Sequence, residues 1–497
     1  MAFTLGIDLG TSAVKALLVD PAQTVVGLAE VPVPVCRPRP GWSEQSPEDW
    51  WDAVVSAIRG LRDASPASFD RVEAIGLSGQ MHGAVLLDER GTVLRPAILW
   101  NDGRAIDACA TLEQAVPELP RLAGVRAMPG FTAPKLLWVR DHEPDVFRRI
   151  AHVLLPKDYI RWRLTGELVT DASDAAGTLW LDQSSRAWSV PLLDATGLVR
   201  SQLPTVLEGS ERGGTVRPDV AHALGLRDGV ILAAGGGDAA AGAVGIGAVN
   251  EGDAFVSLGT SGQVFVVTRD YRPFPETMIH AFCHCVPDRW FQMAALLNGA
   301  SCLAWVSRLV GQPDPGVLLD RVERATDGSD PLLFLPYLTG ERTPHNDPHA
   351  RGVFFGLDAG TTPEVLVRAV LEGVAFAVAE ASDCVTRAGT RIERFAVIGG
   401  GSRSAFWMRL LASALARPVV RYVGAETGPA FGAARLARLA LTGDSVSAIC
   451  SAPAIRDVID PDPALADRYR ERAHRFRRLY LALAPEFRRA ARDSSNT

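Results

Sequence analysis

Apolar residues alternate from Leu5 to Leu9, break at Gly10-Thr11-Ser12, and resume in a β-branched and aliphatic run from Val14 to Val19. Period-two alternation on both sides of a glycine-containing turn predicts a β-hairpin. About half the chain later the arrangement returns, with Ala254–Leu258 and Gln263–Thr268 flanking Gly259-Thr260-Ser261. In both copies a glycine permits close backbone approach, and Thr and Ser add hydroxyls. Successive N–H groups in such turns form anion nests. Two of them facing each other across a cleft can hold one polyphosphate, which makes Gly10, Thr11, Ser12, Gly259, Thr260 and Ser261 candidate phosphate-binding residues.

The surrounding pattern extends the duplication. Val25–Val31 predicts a third strand, and Ser46–Leu61 a helix with Ser46 as N-cap and Pro47 at the first helical position. Ala74–Ser78 and Ala84–Asp88 read as strands around the turn Gly79-Gln80-Met81-His82-Gly83. In the second half, Trp290–Ala294 reads as a strand, Ser301–Leu309 as a helix, Glu364–Ala388 as a long helix and Arg394–Ile398 as a strand. Gly399-Gly400-Gly401 and a helix over Ser404–Ala416 follow. Three antiparallel strands followed by alternating helices and strands, twice over, resemble the ribonuclease-H-like α/β unit duplicated in the actin, hexokinase and Hsp70 class. Domains 1–247 and 248–497 are expected, meeting at the Gly-rich stretch near Gly245–Gly252. Tyr469, Ala473, Phe476, Tyr480 and Leu483 share one face of a last helix over Asp467–Arg492, which fits a packed C-terminal helix better than a membrane-surface one.

Composition narrows the function classes. A chain of 497 residues with 47% apolar content has room for two large domains. A net charge of −6 argues against nucleic-acid binding, which normally requires a basic domain. No apolar run approaches the roughly 20 residues of a membrane span, and no basic region precedes an apolar stretch at the start, so a cytoplasmic protein without a membrane partner is expected. Seven scattered Cys fit a reducing compartment. Of these, Cys283 and Cys285 lie with His280 and His284 in a cluster whose strand alternation puts His284 on the opposite face from both sulfurs, so a buried strand is expected rather than a metal site. Only three of the 51 basic residues are lysines, namely Lys15, Lys135 and Lys157.

The chemistry-bearing residues follow from this frame. There is no Gly-x4-Gly-Lys-Ser/Thr motif, so a P-loop is not the phosphate cradle. Asp8 ends the first strand at the first turn, where a carboxylate beside a polyphosphate suits Mg2+ or its waters. Val230–Ala234, Gly235-Gly236-Gly237 and Asp238 read as a buried strand, an open turn and a helix entry. An acidic residue there can act as a base toward a substrate hydroxyl, and it also suits an N-cap.

These motifs resemble the FGGY carbohydrate kinases. Gly130-Phe131-Thr132-Ala133-Pro134-Lys135 through His142 fits the first family signature, and Gly352–Leu357 through Ala369–Glu372 fits the second except at Val365. Gly41–Gln45, Gln80–Gly83, Leu99–Arg104, Leu154–Tyr159 and Gly340–His345 are also family-like. The resemblance runs from Gly6 to about Tyr480. It implies Asp238 as catalytic base and substrate ligand, Met81 and His82 as sugar-binding residues, Asp8 as the Mg2+-linked carboxylate and Thr11 and Thr260 as marks of the phosphate turns. Gly400, Gly401 and Ser404 match the adenosine motif. ATP and Mg2+ are the implied cofactors, and the implied acceptor is D-xylulose, phosphorylated on its terminal O5. Another ketose, a polyol or an aldonate is the nearest alternative acceptor. A non-catalytic ATP-binding regulator and a filament-forming actin relative are alternatives of a different class. A homodimer is left open. Ala239 departs from the pattern, because Asn commonly follows the catalytic Asp, and this bears on the choice of sugar.

Overall fold

The computed structural model describes residues 2–325, 331–424 and 428–495. Two seven-stranded sheets organise it. In the first, Phe3–Leu9 pairs antiparallel with Ala13–Val19 and parallel with Val72–Gly79, Val25–Pro32 forms one edge, and Ile231–Ala233 and Arg212–Thr215 extend the other. In the second, Ala254–Leu258 pairs antiparallel with Gly262–Thr268 and parallel with Phe395–Ile398. Trp290–Leu296 and His280–Cys283 follow on one side, and Val419–Tyr422 and Ile455–Ile459 on the other. Each hairpin is therefore central in its sheet, and each turn emerges where strands of opposite direction meet.

The helices obey ordinary amphipathic rules. In Pro47–Ala64 the buried residues Trp50, Ala53, Val54, Ala57, Ile58 and Leu61 recur at helical spacing. Ser46 holds the N-cap position, but its hydroxyl makes no capping bond; Pro47 and the first-turn acids Glu48 and Asp49 begin the helix without it. The Pro363–Arg387 helix has Thr362 as a working N-cap, its hydroxyl accepting from the Val365 amide at 3.4 Å. The C-terminal helix, Pro463–Ser495, buries Tyr469, Phe476 and Tyr480 against the second core.

One element without a sequence prediction joins the halves. The Gly428–Thr442 helix lies on the first sheet, where Ala430, Phe431 and Ala434 pack with Leu17 and Val19. Backbones touch there: a Cβ on Gly6 would sit 1.9 Å from the Ala430 carbonyl, one on Gly76 1.8 Å from that of Ala433, and one on Gly432 1.7 Å from that of Ala241. Those three glycines bring the helix against the strand that carries Asp8, the strand that leads into the Gln80–Gly83 loop, and the Asp238–Gly245 helix.

Candidate active site

Asp8 lies opposite Lys15 and beside Ser78 in the sheet register. Its Oδ1 is buried without a hydrogen-bond partner. Burial pushes its carboxyl up to about 6, and Ser78 and the Lys15 charge offset this only in part. Beyond it, the first turn is tied to the next loop rather than standing alone. The Gln80 amide donates to the Leu9 carbonyl at 2.8 Å, and the Thr11 hydroxyl donates to Gln80 Oε1 at 3.0 Å. Trp100 Nε1 donates to that same hydroxyl at 3.0 Å, and Gln45 Nε2 to the Thr11 carbonyl at 2.8 Å. The Thr11 hydroxyl thus has its proton committed to Gln80, so the first turn offers a phosphate its backbone amides rather than that donor. Gln45, Gln80 and Trp100 couple the turn to the loop holding Met81 and His82.

That loop is strained and braced. His82 adopts φ 71°, a left-handed conformation that costs a non-glycine residue energy. Its carbonyl accepts from Lys135 Nζ at 2.8 Å and from the Thr132 hydroxyl at 3.1 Å. Its Nδ1 contacts the Gly177 carbonyl at 2.8 Å, and its ring packs edge-on against Phe131 at 4.5 Å. Burial drives the imidazole down to about 3, so it is neutral. A neutral ring bonded to a carbonyl through Nδ1 carries its proton there, leaving Nε2 as an acceptor. Met81 is buried, and a Cβ added to Gly237 would lie 2.9 Å from its sulfur.

Asp238 is the first residue of its helix and Gly237 is the N-cap, so Asp238 is not the cap that its sequence position also allowed. Its Oδ1 accepts from the Ala239 amide at 2.7 Å. Burial, and then the charge of Asp8, push its carboxyl up to about 7. A base that releases its proton near neutrality has the range that proton abstraction from a hydroxyl favours. The preceding glycines do not leave an open turn, as expected from the sequence. Gly235 has φ 84°, and a Cβ there would meet the Leu77 carbonyl at 2.2 Å; Cβ atoms at Gly236 and Gly237 would meet Cys285 and Met81. Protein neighbours occupy the space, and the glycines allow the Asp238 turn to settle onto the sheet.

The cysteine cluster has packing roles. The strand ends at Cys283, so alternation does not carry through to Cys285. Cys283 donates its Sγ proton toward the Gln183 carbonyl at 3.4 Å, Cys285 packs on Gly236, and burial raises both thiols. Among the described residues no group of three or more His, Cys, Asp or Glu side chains is arranged to hold a metal ion.

The second turn is held by the following loop: the Ala300 amide donates to the Gly259 carbonyl at 2.7 Å and the Gly299 amide to that of Thr260 at 3.1 Å. Thr260 and Ser261 are exposed. Gly399, at φ 88°, packs on Leu258 and Gly259. Next to it a cavity of about 560 Å³ is lined by Leu303, Leu319, Gly400, Gly401, Ser404 and Phe406, among others. A Cβ on Gly400 would meet nothing within 4 Å, whereas one on Gly401 would meet Leu258 at 2.9 Å. Ser404 caps the Ala405–Leu415 helix by accepting from the Trp407 amide at 3.2 Å. The pocket, apolar on one wall and polar at a helix start, has the size and make-up of a nucleoside site.

The chain matches the sequence profiles of both halves of one family: "FGGY family of carbohydrate kinases, N-terminal domain" over residues 3–245 and "C-terminal domain" over residues 254–441. The chain belongs to the FGGY carbohydrate kinases. The family implies ATP as cosubstrate and a sugar as acceptor. A xylulose kinase of Escherichia coli (strain K12) is 47% identical over 97% of this chain and 99% of that protein. A crystal structure described as a xyloylose kinase from Brucella ovis superposes with TM-score 0.94 at 48% identity, covering 97% of this chain and 99% of that one. A xylulose kinase structure from Rhodospirillum rubrum gives TM-score 0.91 at 31% identity, covering 98% and 100%.

Sequence reasoning missed several residues of this FGGY kinase that border the site. Lys135 and Lys157 stand out in the sequence by rarity and by lying in family-like stretches, without a role; in the fold Lys135 braces the His82 carbonyl, and Lys157 pairs with Asp158, Asp171 and Asp174. Arg342 lies in the family-like stretch Gly340–His345, which by itself assigns it no role. Its guanidinium has no hydrogen-bond or ion-pair partner among the described residues, and its charge bears on both His82 and His280. The charge of an arginine from the second half thus bears on a histidine from each half.

Proposed function

We propose that this kinase transfers the terminal phosphoryl group of ATP to the O5 hydroxyl of D-xylulose. The observation that carries the proposal is the placement of Asp8 and Asp238 on either side of one strand: Asp8 pairs with Ser78, Gly236 and Gly237 pair with Ser78 and Gly79, and Asp238 follows directly. Asp238 takes the proton from the sugar hydroxyl, the oxygen forms a bond to the terminal phosphorus, and the bond to the ADP bridging oxygen breaks. Asp8 has the properties of a Mg2+-linked group: a buried oxygen without a partner, at a turn that would hold phosphate. Mg2+ is commonly held by one or two carboxylates with phosphates and waters supplying the rest, which suits one Asp without a ligand cluster. When bound it would neutralise phosphate charge; alignment by the two turns and exclusion of water by closure are tasks of the protein.

His82 Nε2 accepts a hydrogen bond from a sugar hydroxyl, Met81, packed on Gly177 and Gly237, borders the sugar beside it, and Arg342 closes the pocket from the other half. Gly400, Gly401 and Ser404 border the adenosine. The xylulose kinases of similar sequence support the acceptor assignment. A coupled assay of ADP release over a panel of pentuloses, hexuloses and polyols tests it. Highest kcat/KM on D-xylulose is expected; high activity on another ketose or polyol with none on D-xylulose contradicts it.

A further inference from the structure

Beneath the Asp238 turn lies a charge cluster without solvent contact. Lys157 Nζ contacts Asp158 Oδ1 at 2.5 Å, Asp171 Oδ1 at 2.9 Å and Asp174 Oδ2 at 3.2 Å, and all four side chains are 0% exposed. Burial on this scale is costly unless every charge is matched, so the cluster is an expensive way to fill a core. Its connections indicate what it does. Asp171 Oδ2 accepts from the Ser173 amide at 2.8 Å and from the Ser173 hydroxyl at 2.5 Å. The Ser173 oxygen in turn accepts from the Gly237 amide at 3.1 Å. Gly237 immediately precedes Asp238 and sits opposite Gly79 in the sheet register.

The other end of the glycine run is fastened too. Arg161, fully buried, donates through Nη1 to the Ala233 carbonyl at 2.6 Å and through Nη2 to that of Ala234. Three consecutive glycines form a segment with more backbone freedom than other residues allow. Here that segment is pinned on one side by the Arg161 guanidinium and on the other by the Ser173 hydroxyl, itself bonded to Asp171.

We infer that Ser173, oriented by the buried Lys157–Asp171 pair, is the positioning residue that fixes the Gly237 amide and so sets the direction of the Asp238 carboxylate. The inference rests on Asp238 being the base. Ser173 touches no reacting atom; the Asp171 charge holds the Ser173 proton, which leaves the Ser173 oxygen a strong acceptor for the Gly237 N–H.

Ser173→Ala removes this acceptor while leaving Asp171 bonded to Lys157 and to the residue 173 amide. A misplacement near 1 Å can cost about 100-fold in rate, and a loosened turn should cost roughly tenfold in kcat. The measurement is a double-mutant cycle in the full-length enzyme: Ser173→Ala, Asp238→Ala and the pair, each with kcat, both KM values and ATP affinity. Ser173→Ala is expected to lower kcat about tenfold in the wild-type background with ATP affinity unchanged, and to cost less than twofold in the Asp238→Ala background, because it acts only through that carboxylate. Ser173→Cys, with a weaker acceptor in the same place, should fall between, and it replaces the alanine in the cycle if that variant does not fold. Equal losses in both backgrounds, or no loss in either, overturn the positioning role while the base assignment stands. If Asp238→Ala itself keeps more than a tenth of wild-type kcat, the base assignment fails and the inference falls with it.

Discussion

Gly259→Ala separates phosphate binding from folding more cleanly than any other single change in the turns. A Cβ at residue 259 would have the Ser261 carbonyl, at 3.9 Å, as its nearest neighbour, and Gly259 has no positive φ. The fold therefore has room for a methyl group. Replacing an unstrained glycine by alanine stabilises by about 0.4–1 kcal/mol through the unfolded chain. The room is where a phosphate would approach, so the methyl would obstruct an amide donor. A hydrogen bond to a charged group is worth about 1.5–3 kcal/mol, which is roughly a 10- to 150-fold weakening of ATP binding. Gly10→Ala serves as the contrast. Its Cβ would lie 2.9 Å from the Ala13 carbonyl, so that variant should lose stability along with ATP affinity. Calorimetric titration with ATP and thermal melts of both variants read out the two effects. An ATP Kd for Gly259→Ala within twofold of wild type, at an unchanged melting temperature, refutes the phosphate role of the second turn. A fall in melting temperature of more than about 5 °C refutes the assignment of free space.

Asp238 serves as base only when ionised, so kcat/KM for the sugar should rise with pH through about 7 and then level; Asp8→Asn, by removing a charge that holds the proton on, should move the rise to lower pH, and an unmoved profile contradicts the coupling. In the ligand-free protein, folded Asp8 and Asp238 keep protons that the unfolded chain releases near 3.8, so melting temperature should decline as pH rises from there through about 6 and 7, and less so in Asp8→Asn. His82→Ala should raise the sugar KM far more than the ATP KM, and equal rises would point to a structural role alone. Ala239→Asn adds one neutral hydrogen-bonding group, worth about 0.5–1.5 kcal/mol or three- to tenfold, and should sharpen discrimination between D-xylulose and its epimers; an unchanged preference in the sugar panel counts against contact at this position.

The two hairpins were legible because their strands alternate and their turns carry glycine, signals that are local and periodic. Ala254–Leu258 and Ser301–Leu309 were predicted with the bounds they have in the fold. The Gly428–Thr442 helix escaped because small residues, Ala430, Gly432, Ala433, Ala434 and Ala437, make up much of its buried surface and blur the hydrophobic contrast given by Phe431, Leu436 and Leu439, and its close backbone contacts are with strands hundreds of residues away. The glycines before Asp238 were visible, but the reason for them was not: Leu77, Cys285 and Met81 occupy the space that the sequence left open. Likewise the lysines were conspicuous by rarity, while their partners, the His82 carbonyl and three buried Asp, are brought together only by the fold. The Thr11 hydroxyl shows the same limit in reverse, since a donor that suits phosphate is already spent on Gln80.

The most direct test of the central claim compares wild type with Asp238→Ala in sugar-dependent ADP release from D-xylulose, with the product's phosphorus position read by NMR. The account predicts xylulose-dependent release by wild type with phosphate on O5, and a loss of about 100- to 10,000-fold in the variant with ATP affinity nearly intact. Sugar-independent ADP release by wild type, or more than a tenth of wild-type turnover in Asp238→Ala at saturating sugar, would contradict it.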